Sequence, residues 1–310
     1  MNTSNNQADI INPWQRRKFI SSVATAAIGA TMMKSLTVFA AEKKLYTDDL
    51  TVQQIIDLIL KSIPGAPFKE TVDTIKSGDA TQKVTGIVTT MFATDEVIEK
   101  TSKLGANFII AHEPTFFNHT DDTSWLQKDD VYNYKKTLLE KNNIVVWRFH
   151  DGIHAHKPDG VLMGVLNELA WNKYYDESNP YVIKMPATSF GEIIGHTKKQ
   201  LGISHVKIIG NRSQLCSRIV FIPGAAGGRL QIGALEKEKP DLLIIGELNE
   251  WETSEYIRDL RYMGSNTSLL VLGHIVSEEP GLQWLLEWLS PQIPNIKITH
   301  IPSTDAFSWA

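Results

Sequence analysis

Three of the nine histidines in this chain follow directly on apolar runs that read as strands. Ile109-Ile110-Ala111 leads into His112-Glu113-Pro114, and Val146-Trp147-Arg148-Phe149 leads into His150-Asp151, with His154 and His156 close behind. Leu270-Val271-Leu272-Gly273 leads into His274, with Glu278 four residues later, and a fourth run, Leu243-Ile244-Ile245-Gly246, ends on Glu247. Neutral imidazole and carboxylate are the donors that suit zinc, manganese, iron and similar divalent ions. The one cysteine, Cys216, excludes a disulfide framework and a zinc site built on paired cysteines. A metal site here must use His, Asp and Glu, and without thiolates an open site with bound water is favoured over a closed structural one. His274-x-x-x-Glu278 alone is a weak signal; its weight comes from arriving after His112-Glu113 and the cluster over 150–156.

Residues so far apart in sequence meet only if the intervening elements bring them to one rim. Helical spacing of Val52, Ile55, Ile56 and Ile59 predicts a helix over 51–63, stopped by Pro64-Gly65. The β-branched run 84–91 precedes Thr94-Asp95-Glu96, an N-cap with acids in the first turn, and that helix ends at Leu104-Gly105. Strands are expected over 107–111, 144–149, 218–222, 241–245 and 268–272, with an edge strand over 296–301. Helices are expected over 130–141 and from near Trp251 and Glu279. The stretch 174–217, richer in Pro, Ser and Asn, shows no clear pattern. Strand–helix alternation of this kind predicts an α/β fold: two layered α/β domains with mixed, largely parallel sheet and the metal site in the cleft between them. The expected domains are 41–170, with 266–310 returning to it, and 171–265.

The 310 residues are 42% hydrophobic and 21% charged, enough apolar material for a sizeable core and too little polar tract for disorder. A formal charge of −4 disfavours a nucleic-acid partner. At the N-terminus, Arg16-Arg17-Lys18-Phe19-Ile20 opens a weakly apolar stretch that Lys34 interrupts, and Val38-Phe39-Ala40 follows. This is the order of an export signal of the twin-arginine type over 1–40, with cleavage expected after Ala40 and no stable membrane span. Loss of Arg16, Arg17, Lys18, Lys34 and Asp9 takes the charge from −4 to −7. The expected location is the periplasm.

The chain resembles the Nif-three-like dinuclear metal centre family, some of whose members are called GTP cyclohydrolase I type 2 homologues. The resemblance spans about 48–290. It is carried by GIVTTMFATDEVIEKTSKLGANFIIAHEPTFFN from Gly86, HDGIHAHKPDGV from His150, and Gly246-Glu247 through GHIVSEEPG. It implies two divalent metal ions held by His112, Glu113, His154, His274 and Glu278. Family members carry a histidine where Glu113 stands and an aspartate where His154 stands. The two departures are an exchange, which leaves three imidazoles and two carboxylates. By correspondence one ion takes Glu113, His154 and Glu278, the other His112, His274 and Glu278. Glu278 bridges them and is the residue on which catalysis is expected to turn. The resemblance also implies a homohexamer.

The activity expected is metal-dependent hydrolysis of a small-molecule substrate by a metal-bridging hydroxide. The competing class is a non-catalytic metal-binding scaffold or regulatory oligomer. An exported enzyme would meet little GTP, so the activity in the family's name is not expected here. His150 is either a residue orienting a ligand or a structural strand end. Asp151 and Asp159 are weaker candidates for contact with substrate or a supporting imidazole, and Glu247 is a candidate to orient a water or substrate amine that reads slightly better as a helix cap. Asp159-Gly160 reads first as a turn. His119, Asp121 and Asp122 either line the mouth of the site or form a solvated loop. His156 is expected to be peripheral, Cys216 to be packing, and Pro223-Gly224-Ala225-Ala226-Gly227-Gly228 to be a tight turn.

Overall fold

The computed structural model describes residues 49–309, so the signal-like segment 1–40 lies outside the described residues. Ten strands run in chain order: β1 Ile75–Ser77, β2 Ile87–Thr90, β3 Phe108–Ala111, β4 Val145–Arg148, β5 Val182–Ser189, β6 Lys207–Ile209, β7 Leu215–Ile222, β8 Leu242–Ile245, β9 Ser268–Val271 and β10 Ile298–His300. Between them lie helices α1 Val52–Lys61, α2 Asp95–Lys103, α3 Asp130–Lys141, α4 Asp151–Ala155, α5 Gly160–Glu168, α6 Phe190–Gln200, α7 Gly228–Glu238, α8 Glu255–Tyr262 and α9 His274–Leu289.

The strands form two five-stranded sheets, ordered β1-β4-β3-β2-β10 and β5-β7-β8-β9-β6. In the first, β4, β3, β2 and β10 are parallel and β1 joins antiparallel. In the second, β7, β8 and β9 are parallel, flanked by antiparallel β5 and β6. The fold is therefore mixed α/β with two largely parallel sheets. The parallel strands β2, β3, β4 and β8 are buried throughout, which is why they read as unbroken apolar runs rather than alternating ones.

Three local expectations need correction. Residues 174–217 hold β5, α6, β6 and the start of β7; the partial exposure of the edge strands β5 and β6 and of the first residues of β7 hid them. The last helix begins at His274, not near Glu279. Pro280 sits in the helix interior, and Gly273 at φ 107° makes the turn that starts the helix. A short helix, α4, occupies Asp151–Ala155, and it carries His154.

Between the sheets, α5 packs on α9. Leu282, Leu285 and Leu289 of α9 bury into the core on the first sheet with Trp147 and Ile110. Leu162, Val165 and Leu166 of α5 bury into the core on the second with Phe221 and Ile244. The two helices touch backbone to backbone. A Cβ on Gly164 would lie 2.3 Å from the Pro280 carbonyl oxygen and 2.5 Å from Gly281 Cα. The clasp is completed by His156, edge-on to Trp284 and Trp288 at 5.1 and 5.3 Å. His156 is thus peripheral to any metal chemistry, as expected.

Two helical Gly→Ala changes should move stability in opposite directions. Gly164→Ala overpacks the α5–α9 contact and should cost about 1–3 kcal/mol, while Gly195→Ala, with nothing within 4 Å of the new Cβ, should gain about 0.5–1 kcal/mol. Thermal unfolding of the two variants beside the parent checks both signs.

Candidate metal centre

The carboxyl ends of the parallel strands of both sheets face one another, and the predicted residues sit on the loops they launch. His112 and Glu113 follow β3 and stay in its ladder through His112 N–H to Thr90 O (3.1 Å) and Glu113 N–H to Met91 O (2.9 Å). His150 and His154 follow β4, on and just before α4. His274 and Glu278 are one turn apart at the start of α9, after β9. The structure brings all five residues of the predicted ligand set together, and His150 with them.

Four imidazoles share one arrangement. His112 Nδ1 donates to the Phe149 carbonyl at 3.2 Å, His150 Nδ1 to Asp151 Oδ1 at 3.1 Å and His154 Nδ1 to Asp159 Oδ2 at 3.1 Å. His274 Nδ1 lies 3.4 Å from Glu247 Oε2. Each acceptor assigns the ring proton to Nδ1 and leaves Nε2 as the lone-pair nitrogen. These Nε2 atoms converge on two carboxylates. Glu278 Oε2 is 3.0 Å from His274 and 3.4 Å from His112, while Glu278 Oε1 is 4.0 Å from His154. Glu113 Oε1 is 3.4 Å from His274 and 3.7 Å from His150.

Both carboxylates are buried, with 8% of Glu113 and 3% of Glu278 exposed. The His112 Nε2 atom is itself buried and makes no hydrogen bond. A buried lone pair facing a buried carboxylate oxygen is acceptor against acceptor, and it is stable only with a proton or a metal cation between them. The donor set fits a divalent metal. Combinations His112, His150, His154 and His112, Glu113, Glu278 each place one donor atom per residue within 4.8 Å of the others.

The protonation balance has the same cause. Burial pushes the carboxyl of Glu113 up, but the hydrogen bond from His274 and the electrostatic influence of the surrounding imidazoles outweigh it and hold it at about 2. Burial likewise opposes ionisation of Glu278, and His112, His274 and His154 drive it well below the usual range. Burial opposes a charge on His274, yet Glu113, Glu247 and Glu278 carry it up to about 12; His154, against Asp159 and Glu278, rises to about 9. His150 falls to about 4 because burial prevails over Asp151. Without an ion, protons on His154 and His274 neutralise the cluster.

The weaker candidates now have places. Asp151 fixes His150 while its other oxygen accepts from Thr71 Oγ1 and Val72 N–H. Glu247, half exposed, faces His274. Asp159 does two jobs: Oδ1 caps α5 through Val161 and Leu162 N–H, and Oδ2 orients His154. His119 is exposed with its ring 5.9 Å from that of His150, so it lies at the mouth. Asp121 does not line the mouth. It is buried and paired with Lys76 at 3.1 Å. Asp122 binds Ser124 in a surface turn. Gly224, at φ 68°, passes so close to Glu278 that a Cβ would lie 2.0 Å from Oε1, so the turn over 223–228 forms one wall of the site. Cys216 is buried and free.

Two residues were missed. Arg148, fully buried at the end of β4, donates from Nε to the His112 carbonyl and from Nη2 to Glu113 Oε2 (3.2 and 3.3 Å), and its Nη1 reaches the His119 carbonyl. The signal was a lone arginine within an apolar strand. Asp73 accepts from the N–H groups of His150, Asp151 and Gly152 at 2.7–2.8 Å and fixes α4. No local pattern marks it.

A sequence model of the Duf34/NIF3 (NGG1p interacting factor 3) family matches residues 50–306. The chain belongs to this family. It is 26% identical over 235 residues to a Clostridium perfringens protein called GTP cyclohydrolase 1 type 2 homolog, covering 72% of this chain and 86% of that one. Its fold is that of a Bacillus cereus protein related to NIF3, with TM-score 0.67 and 15% identity over 85% of this chain and all of the other. A Staphylococcus aureus hypothetical protein gives TM-score 0.68 at 18% identity, again over 85% of this chain and all of the other. The Duf34/NIF3 match agrees with the resemblance read from the strand-end motifs.

Asp159→Asn tests the support of His154. Asparagine still caps α5 with its oxygen, but its amide then faces Nδ1 as a donor and moves the ring proton to Nε2. Metal affinity should fall about 10–100-fold with α5 intact, measured by metal titration and circular dichroism. A divalent ion must also displace the protons held below about pH 9 on His154 and about pH 12 on His274. Apparent affinity should therefore rise as pH rises between about 6 and 8, and calorimetry in buffers of different ionisation heat should show proton release on binding.

Proposed function

We propose that this Duf34/NIF3 protein is a dinuclear divalent-metal-binding protein that acts as a metal-dependent hydrolase on a small-molecule substrate. The observation that supports this most strongly is the convergence of four Nδ1-anchored imidazoles on two buried carboxylates, open to solvent on the side of His119 and Glu247. A purely structural ion has no need of exposed titratable groups beside it. When bound, a pair of divalent ions lowers the pKa of water and polarises a substrate oxygen.

The chain's own residues supply the rest. Glu278, with one oxygen toward His154 and the other toward His112 and His274, is placed to serve both ions. Arg148 holds Glu113 Oε2, which leaves Oε1 facing His274 and His150. Asp151, Asp159 and the Phe149 carbonyl fix the ring tautomers, so that no reorientation accompanies substrate binding. Glu247 can take a proton from His274 Nδ1 at the solvent edge. His119 offers a second imidazole to a substrate at the mouth.

The relatives' name points to GTP, but the export signal proposed over 1–40 would deliver the protein to the periplasm, where that nucleotide is scarce. Exposed apolar side chains such as Trp125, Val131, Tyr134 and Met263 are suited to the homo-oligomer, a hexamer by family resemblance, that we also propose. Light scattering and the N-terminal mass of the secreted protein check these two points.

The test of function is metal analysis followed by turnover. The full chain should carry two ions per chain and hydrolyse at least one of a panel of phosphoester, amide and cyclic-ether substrates. Glu278→Ala should bring both metal content and turnover to background while the oligomer persists. Two bound ions with no turnover in the parent, and an oligomer that dissociates in Glu278→Ala, would show a scaffold instead.

A further inference from the structure

Between the edge strand β1, helix α3 and the loop over 116–123 lies a cleft of about 390 Å³, and no residue of the metal centre lines it. Its size is that of a small-molecule site, and its walls are polar. Lys76 and Asp121 both line it, although their side chains are only 7% and 4% exposed, and they face each other at 3.1 Å. An ammonium carries three N–H donors. Lys76 Nζ meets no acceptor besides Asp121 among the described residues, and Asp121 Oδ2 makes no hydrogen bond. Thr74, Ser77 and Tyr132 bring three hydroxyls to the same cleft, and these too make no hydrogen bond among the described residues. Lys136 and Glu140, both well exposed, stand at its open end.

We infer that this cleft binds a small polyhydroxylated oxyanion, with its acid group on Lys76 and its hydroxyls on Thr74, Ser77 and Tyr132. A sugar phosphate and a sugar carboxylate share that chemistry. A buried ammonium with unmet donors is costly until acceptors arrive, and an oxyanion brings several at once. A cation drawn to Asp121 is opposed by Lys76 and by Arg148, whose Nη1 lies 3.6 Å from the same Asp121 oxygen. Arg148 also joins the cleft to the metal centre, since its Nη2 lies 3.3 Å from Glu113 Oε2. An anion on Lys76 leaves Asp121 more dependent on Arg148 and so releases Glu113 toward a cation. Oxyanion and metal should therefore strengthen each other's binding by about 5-fold, the low end of coupling between linked sites. This coupling rests on the dinuclear reading above; the cleft itself does not.

The test is calorimetric titration of the full chain, as isolated and after chelation, with ribose phosphate, gluconate, inorganic phosphate and neutral ribose. One of the two sugar acids should bind in both preparations, which also tells phosphate from carboxylate as the acid group. Inorganic phosphate should bind more weakly, and ribose not at all. Lys76→Met should weaken binding by about 10–100-fold, the worth of hydrogen bonds from a charged donor. Tyr132→Phe keeps the ring packed on Phe116 and should weaken it by about 2–10-fold, so the hydroxyl contact is read even where Lys76→Met fails to fold. No binding of either sugar acid, binding that vanishes on chelation and so belongs to the metal, or binding unchanged in Tyr132→Phe and in folded Lys76→Met would overturn the site. Metal titration with and without the bound sugar acid reads the coupling, and equal affinities would overturn the coupling alone. A chain that takes up no metal would remove the dinuclear reading and leave the cleft standing.

Discussion

Two carboxylates buried against the lone pairs of imidazoles are the constraint around which this molecule is organised. Removing an ionised carboxylate from water costs several kcal/mol unless a cation meets it. Glu113 has Arg148 on one oxygen, but Glu278 is met by imidazoles. Those imidazoles can offer positive charge only by carrying a second proton, or they can offer a lone pair to a metal. The same wall of side chains is thus coherent in two states, one filled with protons and one filled with cations. Which state prevails depends on pH and metal supply.

Orientation of the rings is what converts this charge balance into a binding site. A histidine with both nitrogens free to rotate would satisfy Glu278 by donating to it directly. Here a carbonyl or carboxylate behind each ring takes the Nδ1 proton, and these supports come from separate elements: Phe149 from the end of β4, Asp151 from α4, Asp159 from the cap of α5 and Glu247 from the loop after β8. Asp73 and Arg148 in turn hold the backbone of α4 and of the 112–119 loop. Next to Glu278, Glu279 turns the other way and accepts from Met91 N–H and from Ser303, tying α9 to the first sheet; burial raises its carboxyl pKa. Adjacent glutamates therefore divide the work of binding and anchoring.

Much of this was legible in the sequence, for a physical reason. Buried parallel strands read as short apolar runs, and ligands placed at their carboxyl ends follow those runs directly, so His112, His150, His274 and Glu247 announced themselves. The exchange of donor types at positions 113 and 154 kept the count of imidazoles and carboxylates and so kept the pattern readable. What stayed hidden is what depends on distant partners. Asp73 lies in a segment without periodicity and acts on α4 nearly eighty residues later. Asp159 reads first as a turn residue, with imidazole contact as its weaker alternative, because one of its oxygens does cap a helix. His150 reads equally as a ligand-orienting residue or a structural strand end, because only geometry shows that its Nε2 faces Glu113. The edge strands β5 and β6 lacked the apolar continuity that betrayed the central ones.

The placement of these side chains also couples the centre to the global fold. His112, Glu113, His150 and His154 belong to the first sheet's loops, while His274 is launched from β9 of the second sheet and reaches the others because α9 packs on the first sheet's core through Leu282, Leu285 and Leu289 while lying along α5 at glycine-limited distance. A cation that draws the two groups together therefore loads the same contact that joins the two cores. Separation of α9 from the first sheet would part Glu278 from His112 and His154 and Glu113 from His274. Electrostatics at the site and close packing between Gly164 and Pro280 thus restrain one degree of freedom, and the bound ions should rigidify the helix pair as much as the helix pair positions the ions.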